Sequence, residues 1–209
     1  LVFDFGAGTC DISILEIRAP GGRLVSRNLA LSQFQALGGD NIDREIVRRA
    51  LLPQLVFESG SLDDLASAEV ESRLIPRLQP VAENLKIQCC RFLAANWNGA
   101  NLDPLLTPEA QAVAAPVAPF TVGSGAVSIP TPTLTYMALA EALAPFLAPA
   151  PDDDTLFRCD GEAISVFEPI LNALRKAGLE PDDLHMVLLI GGSSSNPFVQ
   201  QAIRRFFGR

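Results

Sequence analysis

Histidine is almost missing from this sequence. His185 stands alone, and the four cysteines, Cys10, Cys89, Cys90 and Cys159, form no CxxC pair. Zinc needs clustered thiolate and imidazole ligands, so composition argues against a zinc site. Adjacent Cys89 and Cys90 could bridge to each other only with strained geometry, which leaves reduced, partly buried thiols as the expectation and fits a cytoplasmic protein. Basic residues are also scarce: 16 Lys and Arg against 24 Asp and Glu give a net charge of -8. A protein that wraps nucleic acid needs a clustered basic surface, so no nucleic-acid partner is expected. One bound nucleotide is not excluded, because backbone N–H groups and a metal ion can hold it locally. No apolar run reaches the roughly 20 residues that span a bilayer, and no basic segment opens the chain, so a soluble protein without a membrane partner is predicted. The sequence begins at Leu1, already in strand-like pattern, which predicts a segment of a longer polypeptide.

What is present argues for a folded domain. Of the 209 residues, 48% are apolar and 19% charged, the reverse of the balance that keeps a chain disordered. That length holds one large or two small domains. Leu1 to Phe5 is apolar and ends in Gly6-Ala7-Gly8. Cys10 to Arg18 alternates around Ile12, Ile14 and Ile17, and Arg23 to Leu31 alternates again after the Pro20-Gly21-Gly22 turn, which predicts a three-stranded meander. Ile42, Ile46, Val47, Ala50 and Leu51 recur at helical spacing up to Pro53. From Ser61 to Phe92 the pattern predicts helical pieces interrupted near Pro76 and Pro80.

Between Asn96 and Pro132, short apolar fragments such as Val113 to Phe120 and Gly125 to Ile129 read as strands and loops. A core strand is the expectation for the first, with a partner-covered surface as the alternative. Leu134 to Leu147 is helical, Ala148 to Asp154 reads as an exposed loop, and Glu162 to Ala177 reads as a helix closed by Gly178. His185 to Ile190 has the continuous apolar character of a strand buried on both faces, and His185 at its start reads as a structural residue. Gly191-Gly192 ends that strand, and Asn196-Pro197 has the cap and first-turn residues of a final helix.

Two places carry candidate chemistry. In Asp4-Phe5-Gly6-Ala7-Gly8-Thr9 a carboxylate ends a strand and glycines let a backbone approach phosphate oxygens. Thr9 adds a hydroxyl, and Asp4 can hold a hydrated magnesium ion; an ordinary hairpin turn would use similar residues. In the second place, Gly191, Gly192 and Ser193 lie between a strand and a helix N-terminus, where anionic groups are favoured; a loop that needs glycine only to turn is the alternative.

Taken in order, these segments resemble a known family. Val2 to Leu15 resembles the second phosphate motif of the actin, hexokinase and DnaK superfamily. Leu37-Gly38-Gly39-Asp40-Asn41-Ile42-Asp43 resembles the segment leading into its helical subdomain. Gly191 to Gln200 resembles its adenosine motif, and Phe206 to Arg209 the stretch just after it. The likeness is to DnaK-type (seventy-kilodalton heat-shock) chaperones. It implies an α/β fold, a ribonuclease-H-like, actin-like ATPase lobe over residues 1–33 and 132–209, with an inserted helical and β subdomain over 34–131.

The likeness also implies ATP or ADP with Mg2+. Asp4 would position the metal through water, or the attacking water itself. Gly6, Ala7, Gly8 and Thr9 would line the phosphates, and Gly191, Gly192 and Ser193 would face the ribose and α-phosphate. Glu83 and Lys86 resemble the pair that holds the ribose hydroxyls. Implied partners are a first lobe and a substrate-binding domain outside these residues, a nucleotide exchange factor and a J-domain cochaperone. Without the first lobe this segment is not expected to hydrolyse ATP efficiently.

The chain departs from the family at Ala7, Ile87, Cys90 and Ser195. Ile87 and Ser195 replace two arginines whose planar guanidinium groups contribute on the order of 0.5–2 kcal/mol each by stacking. These departures favour an alternative, a degenerate regulatory or scaffolding module that binds nucleotide poorly. A sugar or small-molecule kinase of the same superfamily fits the Gly-Gly-Asp segment and the C-terminal motifs less well.

Overall fold

The computed structural model describes residues 1–32, 36–123, 125–148 and 165–208. The expected loop from 149 to 154, the start of the helix expected from Glu162, Cys159 and Arg209 lie outside the described residues. The chain divides into two compact units, Leu1–Gly39 with Ala144–Arg209, and Asp40–Leu143. Helix and strand are both abundant, as an α/β reading requires. No helix among the described residues is long and apolar enough to cross a membrane.

The first unit is built on a four-stranded sheet. Strands β1 (Val2–Phe5), β2 (Cys10–Arg18) and β3 (Val25–Leu31) form the expected antiparallel meander, and β9 (Leu188–Ile190) joins β1 in parallel, giving the order β3-β2-β1-β9. Register follows from alternation. Phe3 pairs with Ile12, Phe5 with Cys10 and Ile14 with Ala30, which puts all six buried side chains on one face. Helix α5 (Phe167–Ala177) packs on β2 and β3, and Gly178 ends it in the left-handed conformation expected of a C-terminal glycine. Phe167 stacks on Phe206 of α6 (Pro197–Phe206), ring centroids 4.9 Å apart.

The expectation for β9 needs correcting. Its regular part is only three residues long, and Met186, Leu188 and Ile190 are exposed rather than buried on both faces. Among the described residues β9 has β1 as its one neighbour, so an apolar run that suits a central strand here forms an edge. His185 is exposed, not part of a buried strand.

The second unit is mostly helical. Helix α1 (Gly39–Ile46) continues through a π turn and a short 3-10 turn to Gln54. The short helix α2 (Ser67–Glu69) runs through another π turn, Val70–Leu74, into α3 (Ile75–Asn96). The interruption expected near Pro76 occurs as the π turn Val70–Leu74, and the one expected near Pro80 does not occur. The wide π turn lies just before Pro76, whose missing N–H needs no partner there, and the buried stripe Leu78, Ala82, Leu85, Cys89 and Leu93 holds α3 together past Pro80.

Three strands, β4 (Val56–Phe57), β6 (Val117–Val122) and β7 (Gly125–Ile129), form an antiparallel sheet in the order β4-β7-β6, while β5 (Gln111–Val113) pairs with β8 (Thr133–Thr135). The fragment from Val113 to Phe120 therefore splits between two sheets, and β6 is mostly exposed or half-buried rather than a core strand. The segment read as helical from Leu134 begins as β8, then becomes α4 (Tyr136–Leu147). Gln54 fastens the end of the first helical segment to β8: its Nε2 donates to Thr133 O at 2.8 Å and its Oε1 accepts from Thr133 N at 2.9 Å.

Candidate functional site

Parallel pairing aligns the carboxyl ends of β1 and β9. Asp4 is the register partner of Ile190, so Gly6-Ala7-Gly8-Thr9 and Gly191-Gly192-Ser193 leave the sheet side by side. In open α/β sheets this is where ligands collect. Gly191 has φ of 86°, and a Cβ there would lie 2.5 Å from Phe5 O and 2.8 Å from an Asp4 carboxylate oxygen. Only glycine fits this approach. Gly38 comes up against the same loop, since a Cβ on it would lie 2.1 Å from Ala7 O.

Hydrogen bonds fix the assembly. The carbonyl of Gly6 accepts from Gly39 N at 3.0 Å and from Ser193 Oγ at 2.8 Å, while Gly6 N donates to Thr9 O at 3.0 Å. Three sequence segments far apart in the chain thus meet at one turn. Ser194 Oγ donates to Gly191 O and Ser195 Oγ to Gly192 O, so the serines of this loop are turned onto its own backbone.

Gly6 and Gly8 behave differently from Gly38 and Gly191. Neither has a positive φ; a Cβ on Gly8 would meet nothing within 4 Å, and one on Gly6 only Thr9 O at 3.9 Å. The fold itself does not demand glycine at these two positions. Their bare backbone leaves room for a group from outside the chain, which is what a phosphate cradle requires. Ala7 and Gly8 are exposed, and among the described residues their amides donate no hydrogen bond.

Asp4 has a companion that sequence reading did not select. Asp11 is its register partner across β1 and β2, so both carboxylates leave the same face of the sheet, opposite buried Phe3 and Phe5. The pairing of the two strands was the signal that would have found it. Buried Cys10 next to them is pushed up to about 12, first by burial and then by the charges of Asp11 and Asp4. Its thiol is no nucleophile. Among the described residues no three His, Cys, Asp or Glu side chains form a metal cluster, so a cation here would keep most of its water.

Glu83 and Lys86 belong to the second unit, one turn apart on α3. Glu83 is exposed. Lys86 Nζ lies 2.8 Å from both carboxylate oxygens of Asp43, a residue of α1 that is only 2% exposed. The ammonium has hydrogen-bond geometry toward Oδ2, which leaves Oδ1 attracted by charge yet without a hydrogen bond. Burial pushes the Asp43 carboxyl up to about 6 despite the pull of Lys86, with Glu83 and Asp40 raising it further.

Cys90 follows Lys86 by one turn, and its thiol is pushed up to about 12, chiefly by burial. Ile87, on the same helix, is exposed. The family described as Hsp70 protein matches this chain over residues 163–209, which takes in α5, β9, the Gly191–Ser195 loop and α6. The match covers less than a quarter of the sequence and supports an Hsp70-type protein.

Proposed function

We propose that the chain is the second lobe of an actin-like ATPase domain in a DnaK-type chaperone, with ATP as substrate and Mg2+ as its companion ion. The observation that carries this reading is the meeting of Gly6–Thr9, Gly38–Gly39 and Gly191–Ser193 at the ends of β1 and β9, with open space above Gly6 and Gly8. The Hsp70 match over the last of these segments supports it. The donor set fits a hydrated divalent cation: Asp4 and Asp11 are hard carboxylate oxygens on one face, and a hard ion prefers oxygen ligands. When bound, Mg2+ neutralises phosphate charge.

The chain's own residues have the following parts. Exposed amides of Ala7 and Gly8 donate to phosphate oxygens, and the hydroxyl of Thr9 adds a donor. Asp4 and Asp11 orient water by accepting its hydrogen bonds. Gly191 and Gly192 offer bare backbone to the ribose and α-phosphate. Ser193 holds the Gly6–Thr9 loop through Gly6 O and, with Gly191 and Gly192, would face the ribose and α-phosphate. Glu83 and Lys86 would hold the ribose hydroxyls, and the first lobe, the substrate-binding domain, exchange factor and J-domain cochaperone would come from outside these residues, in the cytoplasm.

Steady-state ATP turnover by the intact natural polypeptide tests this reading. Wild type should turn over ATP, and Asp4→Asn should lose on the order of a hundredfold in kcat. Absence of turnover in wild type would sink it. A second reading, a degenerate module that no longer uses nucleotide, is favoured by Ile87 and by Ser195, whose hydroxyl is committed to Gly192 O. Failure of wild type both to bind and to hydrolyse would leave that reading standing.

A further inference from the structure

The hairpin of β2 and β3 changes character at its bulge. Up to Ile14 and Ala30 it has a buried face; the register then shifts between Ile14 and Leu15, and no residue from 15 to 28 is buried. Bulges bend a strand and end or redirect its pairing. Past this one, large apolar side chains stand in water: Leu24 is 80% exposed, Ile17 65% and Val25 53%. They lie on both sides of the ribbon. Ile17 pairs with Ser26 and Arg18 with Val25, so Ile17 and Val25 leave opposite faces, and Leu24 sits between the Pro20–Gly22 turn and the start of β3.

Charge is equally out of character there. The whole chain has a net charge of -8, yet residues 15–28 hold three exposed arginines against one acid, Glu16, which Arg18 already engages at 2.6 Å. Charge on an exposed β edge ordinarily keeps other strands away. Leucine, isoleucine and valine beside those arginines work against that purpose.

We propose that this end of the hairpin rests on an anionic lipid surface: Leu24, Ile17 and Val25 enter the boundary between headgroups and acyl chains, and Arg18, Arg23 and Arg27 meet the lipid phosphates and carboxylates around them. A protein partner would cover one face of the ribbon. Apolar residues on both faces and at the turn suit a medium that surrounds the tip, and arginine stems can lie in apolar surroundings while their heads reach the headgroups. Anionic headgroups attract a local basic cluster, whereas the acidic remainder of the chain is screened beyond roughly 10 Å at physiological salt. That no helix among the described residues could cross a bilayer does not bear on this, since a tip that enters the headgroup layer needs no spanning segment. The nucleotide reading is not involved.

The test is co-sedimentation of the intact polypeptide with vesicles of phosphatidylcholine alone and of phosphatidylcholine with phosphatidylserine. Wild type should bind the serine-lipid vesicles at least about tenfold more strongly than the neutral ones and lose that preference in high salt. The double variant Arg23→Glu with Arg27→Glu should lose about tenfold on serine-lipid vesicles, and Leu24→Ser should lose about tenfold without changing the headgroup preference. Emission from Leu24→Trp should shift to the blue on serine-lipid vesicles alone, measured against wild type, whose one tryptophan is Trp97.

Wild type that binds neither vesicle, or both equally, would overturn the proposal without recourse to any variant. Binding unchanged in Leu24→Ser would overturn the entry of the tip into lipid; displacement of the vesicles by a soluble glutamate-rich peptide would then identify the surface as a dock for an acidic protein instead.

Discussion

At the scale of single residues, the folded state keeps Asp43 ionised against the preference of its surroundings. Burial raises its carboxyl from the ordinary 3.8 to about 6 in the folded chain, so the protonated form favours folding. The stabilising contribution is fully present below about pH 4 and is lost as pH rises through about 6. That difference corresponds to roughly 3 kcal/mol. Urea unfolding of wild type and Asp43→Asn should therefore diverge with pH. On going from pH 7.5 to 4.5 wild type should gain a few kcal/mol relative to the variant; parallel pH profiles would contradict the burial argument.

Glu71 has the opposite sign, held low mainly by its hydrogen bond to Arg48, so its contribution is lost as pH falls; it is exposed and its effect is small. The residues of the Gly6–Thr9 turn were legible in the sequence because Asp, Gly and Thr at a strand end are unusual enough to notice. Contacts of Gly38 with Ala7 and of Gly191 with Phe5 were not. They arise from tertiary approach, and so does the burial of Asp43, which nothing in its neighbouring residues announces.

At the scale of elements, alternation revealed β1 and β2 because one face of each is buried and the other is wet, whereas β3 is exposed along most of its length with only Ala30 buried. The same logic overestimated β9, since a short apolar run reads alike whether the strand is central or at an edge. Proline misled in the other direction. Pro80 lies inside α3 and is exposed, and the helix persists because its buried stripe outweighs the lost backbone hydrogen bond.

Pro80→Ala should restore an N–H donor to the helix without disturbing packing. The expected result is a stability gain of about 1–3 kcal/mol, read as a higher urea midpoint, with nucleotide affinity unchanged. A loss of stability would mean that the proline compensates for the π turn at Val70–Leu74 rather than straining the helix. The three thiols described, Cys10, Cys89 and Cys90, belong with the packing of their elements: burial raises each, and none is placed to react.

At the scale of the whole molecule, a net charge of -8 and nearly half apolar residues describe a folded acidic protein and say nothing of a local phosphate site. The site is a matter of backbone geometry, with two glycines that the packing requires and two that it does not. In the proposed site the open turn Gly6–Thr9, beside Asp4 and Asp11, would receive the phosphates of a magnesium nucleotide. The most direct measurement is calorimetric titration of Mg-ADP into the intact polypeptide, wild type against Asp4→Asn. A dissociation constant on the order of micromolar, weakened about tenfold or more by the substitution, is the predicted result; no binding heat up to millimolar Mg-ADP, or identical binding by both proteins, would contradict it.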